Sequence, residues 1–437
     1  MQLKESDYNF IYDDLGKDQV VFYNSRTGAL AVVHEAQYQQ FKAFRETGKE
    51  IEDTEFLNKL LKCGYLISAS VDERFLIKTK MLLGRYNQSA LSFTIAPTMA
   101  CNFRCVYCFE AGHYNHHLMD EQTQEKVLQF IKNRVNANIK SISVTWFGGE
   151  PLLGMPIIER LSHEIISFCK EKDVHYSAAI VTNGYLLTNK TAEILKELQV
   201  RAAQITIDGP KEIHDKRRPM INGQGTYDII MKNLVDLRGT LPILLRINTD
   251  YNNVNFVDKV IEDLKTNRLQ DYVYPALALV LPENSSYEKD DCMSNALFSK
   301  ENIRFVLKHA LPIHSLYPRL KSNYCDADKY NGWIIDDFGN LYKCWSDIGV
   351  SKKSIGSVLL DNSFITKTEL LEAYSKFDLS SESECSKCKF LPICMGGCPR
   401  KRAEGKLLCT QQKYYMQEYL VKYAEMILKS SPTFQNI

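Results

Sequence analysis

Apolar and polar positions follow two rhythms along the chain, and the change between them divides it. In residues 1–88 the apolar residues mostly alternate with polar ones in short runs. Tyr8 to Tyr12, Gln19 to Tyr23 and Ala29 to Val33 are predicted as strands, with Asp13 to Lys17 and Asn24 to Gly28 as the turns between them. A 3.6-residue period then takes over. It predicts a helix from Glu35 to Phe44 with Tyr38, Phe41 and Phe44 inward. A second helix is capped by Asp53, carries Phe56, Leu57, Leu60 and Leu61, and stops at Gly64. Tyr65 to Ile67 returns as a strand, and Asp72 to Arg85 is a helical bridge.

From residue 89 to 312 strand and helix patterns alternate. The strands are Ala90 to Ala96, Ser141 to Trp146, His175 to Val181, Ala202 to Ile207, Pro242 to Asn248 and Tyr272 to Leu281. The helix from Asp120 to Val135 shows the logic. Asp120 caps it, Val127, Phe130, Ile131 and Val135 share one face, and Lys126, Lys132 and Arg134 are expected in water. Six such βα repeats imply an α/β fold, a partial (β/α)6 barrel with its chemistry at the carboxyl ends of the strands. Five polar or glycine-rich stretches fall at those ends: Cys101, Gly148-Gly149-Glu150-Pro151, Thr182-Asn183-Gly184, Asp208-Gly209, and Arg246 with Asn248.

Composition narrows the partners. The 437 residues carry a net charge of +1, and no run of basic residues is interleaved with aromatics, so nucleic acid is not expected. The amino terminus is polar, and the longest apolar run, near Tyr272 to Leu281, is too short to span a bilayer. A cytoplasmic protein without a membrane anchor is expected, and in that compartment thirteen cysteines read as metal ligands before disulfides.

Three of those cysteines lie in Cys101-Asn-Phe-Arg-Cys105-Val-Tyr-Cys108. Thiolates at this spacing hold three irons of a 4Fe-4S cube, and with no fourth cysteine close behind, one iron keeps an open position. A zinc knuckle is the competing reading, although this spacing is not a usual zinc pair. With Tyr107 before the last cysteine, the stretch resembles the signature of radical S-adenosylmethionine enzymes, and the chain as a whole resembles those that carry a SPASM domain, the peptide and protein maturases. The resemblance implies S-adenosyl-L-methionine as cofactor. Gly148, Gly149 and Glu150 look like the family's GGE motif, which places a carboxylate by the methionyl ammonium. Asn183 falls in a segment beside the adenosyl group. Asp208 opens a loop ending at Arg217 and Arg218, one of which, by preference Arg218, contacts the cofactor carboxylate. Arg246 and Asn248 read equally as cofactor contacts or as a satisfied buried network.

The carboxyl third, residues 313–437, repeats the cysteine theme. Cys325 is followed by Gly339-x4-Cys344, Cys385-x2-Cys388-x5-Cys394-x3-Cys398 and Cys409. This spacing resembles the SPASM pattern, which implies two auxiliary 4Fe-4S clusters. Cys385, Cys388, Cys394 and Cys409 would hold the distal one, and Cys325, Cys344 and Cys398 the inner one. Zinc ribbons are the alternative. No cysteine lies between Asp326 and Lys343, so the inner cluster has an open iron or borrows a ligand, with Cys292 the test case. Cys63 and Cys169 fall in helices as packing residues. A last helix carrying Tyr415, Met416, Tyr419, Leu420, Tyr423, Met426 and Ile427 is expected as core.

The order of elements in residues 1–88 resembles the winged-helix leader-recognition domain of peptide maturases, with a packing domain that binds nothing as the alternative. Together these readings describe an enzyme of three segments. It would take hydrogen from a residue of a ribosomally made precursor peptide and install a carbon–carbon or thioether cross-link or a related modification, with its electron drawn from a flavodoxin or ferredoxin-type donor. The competing functions are an anaerobic sulfatase-maturing enzyme that makes formylglycine and a non-catalytic iron-sulfur carrier.

Overall fold

The computed structural model describes residues 2–16, 18–112, 114–283, 287, 289–360, 363–379 and 384–430. The chain divides into two compact units, each built from separated stretches. The first comprises Met1–Arg85, Asn295–Cys325 and Lys376–Ile437, and the second Tyr86–Ser294 and Asp326–Ser375. Boundaries at 88/89 and 312/313 therefore describe order along the chain, while the compact units interleave its segments.

In the first unit β1 (Leu3–Glu5) pairs antiparallel with β5 (Leu66–Ser68). Strands β2 (Asn9–Tyr12), β3 (Gln19–Asn24) and β4 (Leu30–His34) form a separate antiparallel sheet in that order. The closing strand thus pairs with an amino-terminal strand that its polar Leu-Lys-Glu sequence does not announce, and not with the three-stranded sheet. Alternation along β3 and β4 sends side chains to two cores. Val20, Phe22, Ala31 and Val33 meet Phe41, Phe56, Leu60 and Tyr65, while Val21, Tyr23 and Val32 meet Ile303, Tyr419 and Leu420. The helix Thr54–Cys63 starts where the Asp53 carboxylate accepts from the Phe56 N–H, and ends at Gly64 in the left-handed region at φ 80°. The last helix, Gln412–Ser430, buries Tyr415, Met416, Tyr419 and Leu420 as expected, but Met426, expected in the core, is exposed, because it lies off the buried stripe.

In the second unit β6 (Ala90–Ile95), β7 (Ser141–Trp146), β8 (His175–Val181), β9 (Val200–Thr206), β10 (Ile243–Thr249) and β11 (Val273–Leu279) pair in sequential order, each parallel to the next. Helices lie on the connections between successive strands, as βα repeats require for parallel pairing. Three further strands extend the β6 edge. β12 (Gly332–Ile335) runs parallel to β6, and β13 (Asn340–Tyr342) and β14 (Gly356–Ser357) return antiparallel. Asp120 accepts from the Thr123 N–H at the start of the helix Glu121–Lys132, as its sequence predicts. Arg134 departs from expectation: it packs over the Phe130, Phe364 and Trp333 rings at 3.3, 4.2 and 4.9 Å instead of standing in water. Burial among these rings lowers its pKa to about 10, stacking on their faces offsets part of that cost, and its Nη1 donates to the Phe130 carbonyl at the helix end. Among the described residues no helix is long and apolar enough to cross a membrane.

Candidate active site

The carboxyl ends of the parallel strands surround a cavity of about 340 Å³. Cys101, Cys105 and Cys108 line it from the loop after β6, Gly148 and Gly149 after β7, Thr182 and Asn183 after β8, Thr206 at the end of β9, and Arg246 and Asn248 from β10. Four of the five stretches predicted to meet at one mouth line this cavity, and Asp208-Gly209 does not. The loop holding the cysteines is tied down by its own residues. The Arg104 guanidinium donates to the carbonyls of Cys101 and Phe103 at 2.9 and 2.6 Å and lies 4.3 Å above the Tyr114 ring. Tyr114, whose role no motif announces, lines the same cavity and directs its hydroxyl to the Cys108 sulfur.

Gly148 and Gly149 are required by space. Gly148 sits at φ 110°, and a Cβ there would lie 2.3 Å from the Thr98 carbonyl oxygen; one at Gly149 would lie 2.3 Å from that of Ala100. The chain thereby brings β7 and the cysteine loop into backbone contact, with the Glu150 N–H donating to the Ala100 carbonyl at 2.8 Å. Glu150 itself is fully buried. Its carboxylate accepts from the Leu152 N–H at 3.0 Å, the Thr182 hydroxyl at 2.8 Å and the Asn183 N–H at 2.7 Å, joining the ends of β7 and β8, while burial raises its pKa.

Behind the cavity runs a buried polar network. Asp208 accepts from the Tyr107 hydroxyl, from Arg217 Nε at 3.3 Å and from the Asn248 N–H at 3.1 Å. Arg217 also holds Asp250 with both terminal nitrogens, at 3.0 and 2.7 Å. Arg218 instead lines the cavity beside Cys105, donates from Nη1 to the Tyr107 hydroxyl at 2.8 Å, and leaves its buried Nε without a hydrogen-bond partner. Of the two arginines, one is consumed by ion pairs and the other keeps a donor in reserve. Arg246 donates to the Asn248 side chain at 2.6 Å, and Asn183 Nδ2 to the Asn102 side chain at 2.7 Å. Burial pushes the Cys101 and Cys108 thiols well above their usual range and Glu110 to about 8. Thiols without a metal are costly as buried thiolates, and a cationic cluster is what would reverse that.

The residues present fit an iron-sulfur cluster with its sulfonium cofactor: three cysteines and two glycines lining one cavity, and an unpartnered guanidinium nitrogen beside them. In the first unit Cys385, Cys388, Cys394 and Cys409 line one cavity together with Gly396 and Gly397. A Cβ on Gly397 would lie 2.4 Å from the Leu408 carbonyl oxygen. Cys325 and Cys398 also belong to this unit, and Cys344 and Cys292 to the second. Among the described residues no three His, Cys, Asp or Glu side chains converge as ligands of one metal ion.

Residues 95–251, the stretch that supplies all of these strand ends, match the model of the Radical SAM superfamily. The cysteine-type anaerobic sulfatase-maturating enzyme of Clostridium novyi is 26% identical over 350 residues, covering 72% of this chain and 89% of that one. Native anSMEcpe with bound AdoMet and a Kp18Cys peptide superposes with a TM-score of 0.58 at 20% identity, over 78% of this chain and 98% of that one. Streptococcus suis SuiB bound to its precursor peptide SuiA gives 0.54 at 16% identity, over 93% and 98%. Residues 95–251 thus match a radical SAM domain, and the chain shares with these structures an α/β fold with a central, mostly parallel sheet.

Proposed function

We propose that the protein is a radical S-adenosylmethionine maturase of a ribosomally made peptide, installing a carbon–carbon or thioether cross-link or a related modification. The observation that carries this reading is the single cavity that gathers the three cysteines, Gly148, Gly149, Asn183, Arg218 and Arg246 at the strand ends. Cys101, Cys105 and Cys108 would hold a 4Fe-4S cluster, and the two glycines let β7 pack its backbone against the loop that carries them. Arg218 would donate its unpartnered Nε to the cofactor carboxylate, with Tyr107, itself held by Asp208 and Asn248, fixing the guanidinium's orientation. The bound cluster and cofactor supply reductive generation of a hydrogen-abstracting radical, fed by a flavodoxin or ferredoxin-type donor. This chain excludes water and holds the target carbon.

Four cysteines around one cavity of the first unit support an auxiliary cluster on Cys385, Cys388, Cys394 and Cys409. Docking of a leader on residues 1–88 is supported by the three-stranded sheet, which ends on β4 among the described residues and so offers an edge for strand addition next to the helix Glu35–Thr47. A sulfatase-maturing enzyme is the second reading, favoured by the Clostridium novyi relative. SuiB accounts for 93% of the chain and anSMEcpe for 78%, and the additional span favours the first.

The test is mass spectrometry of two peptides after anaerobic incubation with the reconstituted enzyme. One is encoded by a short reading frame beside this gene, and the other is a sulfatase peptide with a central cysteine or serine. A mass loss of two hydrogens in the first supports the maturase, and formylglycine in the second supports the alternative. Absence of cofactor cleavage under reduction would reject both and leave the iron-sulfur carrier.

A further inference from the structure

One wall of the active-site cavity is built of rings. Trp345, in the short 3-10 turn Trp345–Asp347 after β13, lies with its ring centroid 4.6 Å from that of Phe147. Phe147 stacks parallel to Phe109 at 6.4 Å with an interplanar angle of 11°. All three line the cavity that holds Cys101, Cys105 and Cys108. The wall is anchored from behind, since Phe147 is part of a buried cluster with Ala96, Met99, Ile334 and Tyr342. Trp345 is fixed at its edge, where the indole N–H donates to the Thr94 hydroxyl at 3.1 Å. The turn that carries it is held by the Tyr374 hydroxyl donating to Asp347. Yet Trp345 remains 38% exposed. A large aromatic side chain held in one orientation, with its polar atom satisfied and its face left open to a cavity, is a contact surface awaiting an apolar group.

Much of the polar lining of the same cavity is engaged elsewhere, while Arg218 Nε and Glu110 Oε1 have no hydrogen-bond partner. Arg218 and Asn248 converge on the Tyr107 hydroxyl, and Arg246 on the Asn248 side chain. A charged side chain brought against the rings would lose its water without gaining a partner from the wall. Resting on the proposed peptide-modifying function, we propose that Trp345, with Phe147 and Phe109 behind it, is the specificity-determining surface for the target residue, and that this residue has an aromatic or aliphatic side chain.

The test uses the full-length, cluster-reconstituted enzyme with S-adenosylmethionine, and measures by equilibrium dialysis the binding of N-acetyl amides of tyrosine, leucine, lysine and glutamate. Tyrosine and leucine amides are expected to bind at least about tenfold more tightly than the charged pair. In Trp345→Ala that preference should fall to within about twofold, and Trp345→Phe should retain most of it, which separates loss of the ring from loss of the fold. Equal binding of all four amides to the wild type, or an unchanged preference in Trp345→Ala, would overturn the inference. Binding of S-adenosylmethionine measured in the same samples keeps the two readings apart. If the cofactor fails to bind, the proposed function falls; if it binds without amide preference, only the assignment of Trp345 falls.

Discussion

Arg217 grips Asp250 through both ends of its guanidinium, Nη1 to Oδ1 at 3.0 Å and Nη2 to Oδ2 at 2.7 Å, and with Nε also reaches Asp208 at 3.3 Å. Both partners are buried, so the ion pairs are shielded from water and salt. Removing one member of such a network leaves charges uncompensated, at a typical cost of about 3 to 5 kcal/mol. Arg217→Gln is therefore expected to destabilise the second unit severely, read as a lower unfolding midpoint. Arg218→Gln should instead weaken S-adenosylmethionine binding with the smaller stability loss. Equal melting loss in both variants would show that Arg218 too is a structural residue.

Gly149→Ala tests the close approach of β7 to the cysteine loop. The added methyl would meet the Ala100 carbonyl oxygen at 2.3 Å, and main chain on both sides has no flexible tip to yield. Iron bound after reconstitution should fall, with cofactor binding falling alongside. Gly405→Ala, at a glycine with open space around it but φ 72°, is the control for backbone strain alone. If Gly149→Ala loads iron like the wild type, the loop is not positioned through this contact.

His214 gives a pH dependence with a defined sign. It is fully buried, with Nδ1 3.3 Å from the Asp208 N–H and Nε2 3.1 Å from the Thr226 hydroxyl. Accepting from that N–H leaves the proton on Nε2. Burial first, then the nearby Arg218 and Arg217 charges, holds its pKa well below the usual histidine value. A depressed folded pKa means that the stability is present above the unfolded value of about 6.5 and is lost as pH falls below it, at up to about 1.4 kcal/mol per pH unit. Urea unfolding between pH 7.5 and 5.5 should show that slope, and His214→Gln should flatten it. An unchanged slope in the variant would assign the effect to other groups.

Iron content tests the metal sites separately. Three cubes require about twelve irons per chain. Replacing Cys101, Cys105 and Cys108 by Ala should remove about four and abolish cofactor cleavage, and replacing Cys385, Cys388, Cys394 and Cys409 should remove another four. Zinc bound in place of the latter would show that the carboxyl-terminal cysteines form a different site.

Leader docking needs a test that keeps the fold intact. Residues of β3 and β4 share a core with Ile303, Tyr419 and Leu420, so deleting the amino-terminal segment would open that core. Hydrogen exchange on the full chain is the suitable measurement. Added precursor peptide should slow exchange along β4, and protection confined to other regions would make residues 1–88 a packing element.

The six parallel strands, the caps at Asp53 and Asp120 and the strand-end positions of the cysteines, Gly148, Asn183 and Arg246 were legible in the sequence. Each rests on short-range physics: apolar periodicity, a side chain reaching its own helix start, and the rule that parallel strands bring their carboxyl ends to one side. What depends on distant residues was not legible. β1 is a strand only because Leu66–Ser68 offers it a partner, and β12 joins the sheet because the β6 edge accepts it. Arg134 leaves water because Trp333 and Phe364, about two hundred residues away in the chain, provide faces for it. The adjacent arginines 217 and 218 are identical as sequence. Only the fold gives Asp208 and Asp250 to the first and a place in the cavity to the second, and only the fold sets Trp345 on Phe147, since ion pairing and ring stacking are decided by which side chains meet in space.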